Sequence, residues 1–104
     1  MLVATTWKAR PLSPDQANRM MQTWGKLEAA TAENPSVERL CWFMYADGSG
    51  GVTVDKHVDV EAANAFGLEV ALVLGEFLEL ESHIVLDLDA AMPAILKAME
   101  HVNS

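Results

Sequence analysis

The segment that most constrains the fold is Val37–Ala46. Its odd positions (Val37, Cys41, Phe43, Tyr45) and its even positions (Leu40, Trp42, Met44, Ala46) are both largely apolar. A strand with one face in water alternates apolar and polar residues, because successive side chains point to opposite faces. A strand written this way needs cover on both sides. Asp47-Gly48-Ser49-Gly50-Gly51 follows with residues that tolerate positive φ, and Val52-Thr53-Val54-Asp55 resumes the strand pattern, so the pair reads as a β-hairpin. Simple alternation puts Leu40, Trp42 and Met44 on one face and Arg39, Cys41, Phe43 and Tyr45 on the other.

The remaining pattern supplies cover for one side only. Leu2–Ala9 carries β-branched and aromatic residues and stops at Arg10-Pro11, which reads as a first strand. Ser13-Pro14-Asp15-Gln16 places a hydroxyl at the N-cap, proline at N1 and an amide at N3, both halves of a capping box. Ala17, Met20, Met21, Trp24 and Leu27 then recur at helical spacing until Asn34-Pro35 forbids continuation. Asp59 caps a second helix, in which Ala63, Phe66, Val70, Val73 and Phe77 form the stripe and Gly75 marks the end. From Glu79 the pattern is again a strand, with Leu80, Ser82, Ile84 and Leu86 on one face and Glu81, His83, Val85 and Asp87 on the other. A short helix from Asp89 to His101 closes the chain.

This βαββαβ order, plus a short C-terminal helix, predicts an α+β domain spanning 1–104. Its right-handed crossovers put both main helices on one face of a four-stranded antiparallel sheet. Because the second strand is apolar on both faces, the bare face is expected to meet a second copy, as a homodimer through sheet faces.

Composition supports self-association. A chain of 104 residues buries only about two-thirds of the surface its unfolded form exposes, yet 51% of this one is hydrophobic and its mean hydropathy is +0.13. A net charge of −8 repels phosphate backbones and anionic lipid headgroups, so neither nucleic acid nor membrane is an expected partner. No apolar run approaches the ~20 residues that span a bilayer. A single cysteine, Cys41, and a start without a basic, long-apolar leader point to a reduced, cytoplasmic protein.

Thr6-Trp7-Lys8, Cys41-Trp42-Phe43 before Asp47-Gly48, Gly51-Val52-Thr53-Val54, and Glu81 to Leu86 followed by Asp87 give the chain a resemblance. From Leu2 to about Met92 it resembles a family of small uncharacterised proteins with the ferredoxin-like, dimeric α/β-barrel fold. Relatives in that superfold include cofactor-independent monooxygenases, lactone isomerases, stress-induced barrels and haem-binding members. The resemblance therefore implies fold and dimer rather than one activity.

Among candidate functional residues His83 stands first. It is expected to face the space between the two sheets, with Glu81 about 6.6 Å away on the same face, and to serve as a base if the protein is catalytic. Arg39, Cys41, Phe43, Tyr45, Glu81 and His83 are the expected lining of an inter-sheet ligand pocket. His57 reads as a solvated loop histidine and His101 as a partner of its own helix dipole. The histidines show no ligand spacing and one cysteine cannot build a zinc site, so neither metal nor cofactor is expected. Asp47–Gly51 leads into a strand and reads as a turn, not a phosphate loop. Trp7, Trp24, Trp42, Phe43 and Tyr45 would line an apolar pocket if several converged. Two functions fit: a small-ligand-binding, stress or assembly barrel without catalysis, or a cofactor-independent monooxygenase or isomerase acting on a small apolar or aromatic substrate.

Overall fold

The computed structural model describes residues 1–103. The chain runs β1 (Leu2–Ala9), α1 (Pro14–Ala32), β2 (Val37–Met44), β3 (Gly50–His57), α2 (Val60–Leu74), β4 (Leu78–Val85) and α3 (Leu88–Asn103). The four strands form one antiparallel sheet in the order β2-β3-β1-β4, the ferredoxin-like arrangement expected.

Local chemistry sets the helix starts. The Ser13 hydroxyl accepts from the Gln16 amide at 3.2 Å while the Gln16 side chain accepts from the Ser13 amide at 2.9 Å, and Pro14 sits at N1. Asp59 caps α2 by accepting from the Ala62 amide at 2.8 Å. The β2–β3 turn closes through Asp47, whose carboxylate accepts from the Ser49 amide at 2.9 Å and hydroxyl at 2.6 Å, with Gly48 at φ +74°.

The core is concentrated at one end of the helix–sheet space. Trp7, Leu27, Leu74, Phe77 and Leu78 are buried there, with Leu12, Met20, Trp24, Val70, Val73 and Leu80 packed against them. The Trp7 ring lies directly over Gly51, where a Cβ would collide with the indole and with the Phe43 carbonyl. That close approach draws β1, β2 and β3 together at the base of the core.

β2 differs from simple alternation. Arg39 pairs with Asp55 but Cys41 pairs with Val54, so Leu40 is an extra residue in a β-bulge. The bulge resets the faces. Arg39, ahead of it, turns to the helices. Cys41 and Phe43, after it, turn away, and Trp42 stacks on Trp24 on the helix side. The expectation that Arg39 and Cys41 share a face is therefore corrected, and so is Leu40's place under the helices, since it sits 49% exposed at the bulge.

α3 stands off the body. None of its residues is buried, and Leu88, Met92, Ile95, Leu96, Met99 and Val102 leave an apolar stripe open. The radius of gyration, 16.9 Å, exceeds the roughly 13 Å of a compact chain this long, and the longest dimension is 61 Å. Among the described residues no helix is long and apolar enough to cross a membrane.

Gly51→Ala tests the Trp7 contact. The added methyl has nowhere to go without moving the indole, so urea unfolding should show a loss of about 1–3 kcal/mol. Stability unchanged from wild type would contradict the packing.

Candidate active site

A cavity of about 440 Å³ lies between the helices and the sheet, bordered at one side by the core residues Trp7, Leu27, Leu74 and Leu78. Strand alternation decides its floor. The odd residues of β1 (Val3, Thr5, Trp7), Thr53, Asp55 and His57 of β3, and the even residues of β4 (Leu80, Ser82, Ile84) all face inward. α1 contributes Trp24, Leu27 and Glu28 to the wall, and α2 contributes Ala63, Phe66, Val70 and Leu74.

One stretch is aromatic. Trp7 meets Trp24 edge-on with centroids 4.9 Å apart, and Trp24 stacks on Trp42 at 5.7 Å. Of the five aromatic residues expected to line a pocket, Trp7 and Trp24 line this cavity and Trp42 stacks on Trp24 outside its lining, while Phe43 lies on the other face of the sheet. The Trp7 indole nitrogen is buried without a hydrogen-bond partner.

An ionic cluster adjoins it. Asp55 is 3% exposed and is paired with the Arg39 guanidinium, which also contacts the Glu28 carboxylate at 3.2 Å. Trp24 Nε1 donates to Glu28 at 3.3 Å and Arg39 lies 5.3 Å from the Trp42 ring centroid. The bulge in β2 makes this possible, since it alone brings Arg39 to the helix side.

His57 is the residue that sequence reasoning missed. It is the last residue of β3 and 3% exposed, not a solvated loop histidine. Met1 extends the ladder to it: the His57 amide donates to the Met1 carbonyl at 2.8 Å, and the Met1 amino group donates to the His57 carbonyl at 3.0 Å. Phe66 of α2 covers the ring at 5.4 Å. The signal was present as Thr53-x-Asp55-x-His57, polar residues on one strand face, but an alternation of polar residues reads as a wet edge unless something is known to lie above it. Burial holds the His57 pKa below 6.5, Asp55 opposing and the N-terminal ammonium reinforcing the shift.

The outer face holds the other expected site residues, of which His83 also borders the inner cavity. His83 Nε2 lies 3.0 Å from Glu81 Oε1, and both side chains are mostly exposed. Tyr45 and Glu81 line an open cleft of about 540 Å³ with Thr6, Trp7, Lys8, Ser49, Glu79 and Leu80. Cys41 and Phe43 occupy the same face on β2, whereas Arg39 lies across the sheet from them all. Among the described residues no group of three or more histidine, cysteine or acidic side chains is placed to hold a metal ion.

No family model matches the chain, and no curated protein sequence matches it. Solved structures do. A candidate antibiotic biosynthesis monooxygenase from Nitrosomonas europaea superposes with a TM-score of 0.59 at 14% identity, covering 85% of this chain and 99% of its own. A Mycobacterium tuberculosis protein gives 0.57 at 17% identity, covering 84% and 97%. A candidate antibiotic biosynthesis monooxygenase from Deinococcus radiodurans gives 0.54 at 12% identity, covering 84% and 94%. At such identities the likeness is one of fold.

Two predictions follow from the ionic cluster. Arg39→Leu leaves the Asp55 carboxylate buried and unpaired, so it should cost about 3–5 kcal/mol in denaturant unfolding. A loss below 1 kcal/mol would show that Asp55 does not depend on Arg39. His57 supplies the second. Its folded state binds a proton more weakly than the unfolded chain does, so its contribution is present above about pH 6.5 and is lost as pH falls toward its lower folded value. The drop in Tm between pH 7.5 and 5.5 should be smaller in His57→Phe than in wild type, and equal drops would contradict the shift.

Proposed function

We propose that the protein takes a small, largely apolar molecule, aromatic by preference, into the cavity between its helices and its sheet, and works as a homodimer. The observation that carries the reading is the make-up of the cavity. Its volume of about 440 Å³ falls in the range of small-ligand sites, and its walls are mostly aliphatic and aromatic, with polar side chains set along the strands of its floor. The outer-face pocket expected from alternation loses Arg39 to this cavity. His83, Glu81 and Tyr45 keep the weaker claim of a second place that facing sheets would enclose.

Two bare apolar surfaces support the dimer. Phe43 is 64% exposed on the outer face of the sheet, and the apolar stripe of α3 is uncovered. A 16-residue helix is marginal in water without packing, so α3 fits an arm that lies on a second copy. The net charge of −8 disfavours an anionic membrane as its cover. The one cysteine, half-buried Cys41, fits a reducing cytoplasm.

A catalytic reading, cofactor-independent oxygenation or isomerisation of the bound molecule, is favoured by one observation, the fold neighbours that carry the monooxygenase name. It needs a group that takes a proton from the substrate.

The neutral fluorophore N-phenyl-1-naphthylamine tests the cavity. Wild type should bind it saturably, one per chain, and Ala63→Phe, which fills the cavity from α2, should weaken binding at least tenfold. Unchanged binding in that variant would refute the location. Light scattering at micromolar concentration should give twice the 11.3 kDa chain mass, falling toward one chain in Phe43→Glu. A monomeric wild type would refute the dimer.

A further inference from the structure

The helix–sheet cavity is covered on one flank and bare on the other. Its lining residues on β3, Thr53, Asp55 and His57, are buried. Those along the edge strand β4 are not: Ile84 is 64% exposed, and Leu68, which lines the cavity from α2, is 62% exposed. Gly67, Ala71 and Ser82 also line the cavity and lie open to solvent. Leu72 on α2 and Leu86 just past β4 extend this flank, both exposed. The cavity thus opens sideways into a largely apolar groove between α2 and β4.

The same chain carries a helix shaped to fill such a groove. From Ala98 round to Leu96, an arc of α3 about 160° wide holds no charged side chain and, apart from the last residue, Asn103, only apolar ones. A two-helix seam needs a narrower stripe; an arc this wide is covered when a helix sinks into a groove. The remaining arc sets Asp89 and Glu100 against Lys97, unlike the lysine-rich polar face of a helix that lies on a membrane. Asp87 caps α3, its carboxylate accepting from the Asp89 amide at 2.9 Å and its carbonyl from the Ala91 amide at 3.0 Å. Only Leu86 separates that cap from β4, so the chain has no slack with which to lay α3 back over its own groove, and the helix projects from the body with no residue buried.

Building on the dimer and cavity readings above, we propose that two copies exchange α3: the helix of each seats in the α2–β4 groove of the other and closes the open flank of that copy's cavity. The area suits a stable dimer. Half the surface of a 16-residue helix, about 24 Å long and about 11 Å across, is roughly 400 Å². Counted on helix and groove at two reciprocal seats, it reaches roughly 1,600 Å², the size of a standard protein interface. Each ligand site then has one wall from the other copy.

Hydrogen exchange of the α3 amides in the full chain reads the seat, since an undocked helix of this length protects its amides little. In wild type they should exchange at least tenfold more slowly than in Ile95→Glu, which spoils the arm, or in Leu68→Glu, which spoils the groove. Val58→Glu, at an exposed apolar position outside the groove, should match wild type. Mixing the two spoiled variants separates exchange from folding back. In a mixed dimer the arm of the Leu68→Glu chain meets the intact groove of the Ile95→Glu chain, so that arm, told apart by mass, should regain protection; a helix folded onto its own groove would regain none. Acrylamide should quench bound N-phenyl-1-naphthylamine at least threefold more in Ile95→Glu than in wild type. Fast exchange in wild-type α3 while light scattering gives a dimer, or no regain on mixing, would overturn the inference and leave the dimer standing. Equal quenching would overturn the closure alone, and a monomeric wild type would overturn the dimer and the exchange together.

Discussion

The ion pair between Arg39 and Asp55, extended to Glu28, is the interaction on which the site depends. It ties an edge strand to its neighbour and both to α1, beside the stacked rings of Trp24 and Trp42. Two charges there are costly to desolvate, and their attraction repays that cost only when every partner is in place. An apolar trio in the same positions would be free to collapse inward and close the space. A fixed, fully committed polar cluster keeps its shape and leaves the cavity beside it open.

The two ends of the helix–sheet layer are thus built on different physics. At one end Trp7 settles onto Gly51, and Leu27, Leu74, Phe77 and Leu78 close over it, so stability comes from dense apolar packing. At the other, β3 carries Thr53, Asp55 and His57 toward the helices and little apolar surface is offered in return. The fold can keep an unfilled volume there because the packed end holds the helices on the sheet. A chain this short has little interior to offer, which also explains why so much apolar surface stays exposed.

Much of the fold was legible in sequence because its signals are local. The capping box at Ser13–Gln16 and the N-cap at Asp59 each act within one helical turn, and the run Leu2–Ala9 ends where proline removes a ladder donor. The site was less legible for equally physical reasons. The bulge at Leu40 inserts one residue without any glycine or proline to mark it, and one inserted residue exchanges the faces of everything before it relative to everything after. Arg39 was therefore assigned to the wrong side. His57 was misread because its burial depends on Met1 and Phe66, each remote from it in the chain or across the cavity. Periodicity reports which residues share a face, not what lies above that face.

The central claim is that the ligand site lies between the helices and the sheet. A crystal structure of the protein soaked with N-phenyl-1-naphthylamine tests it most directly. The account predicts density for the rings in the cavity between the helices and the sheet, against Trp24 and Phe66. Density on the outer face of the sheet, against Phe43, Tyr45, Glu81 and His83, with the inner cavity empty, would contradict it.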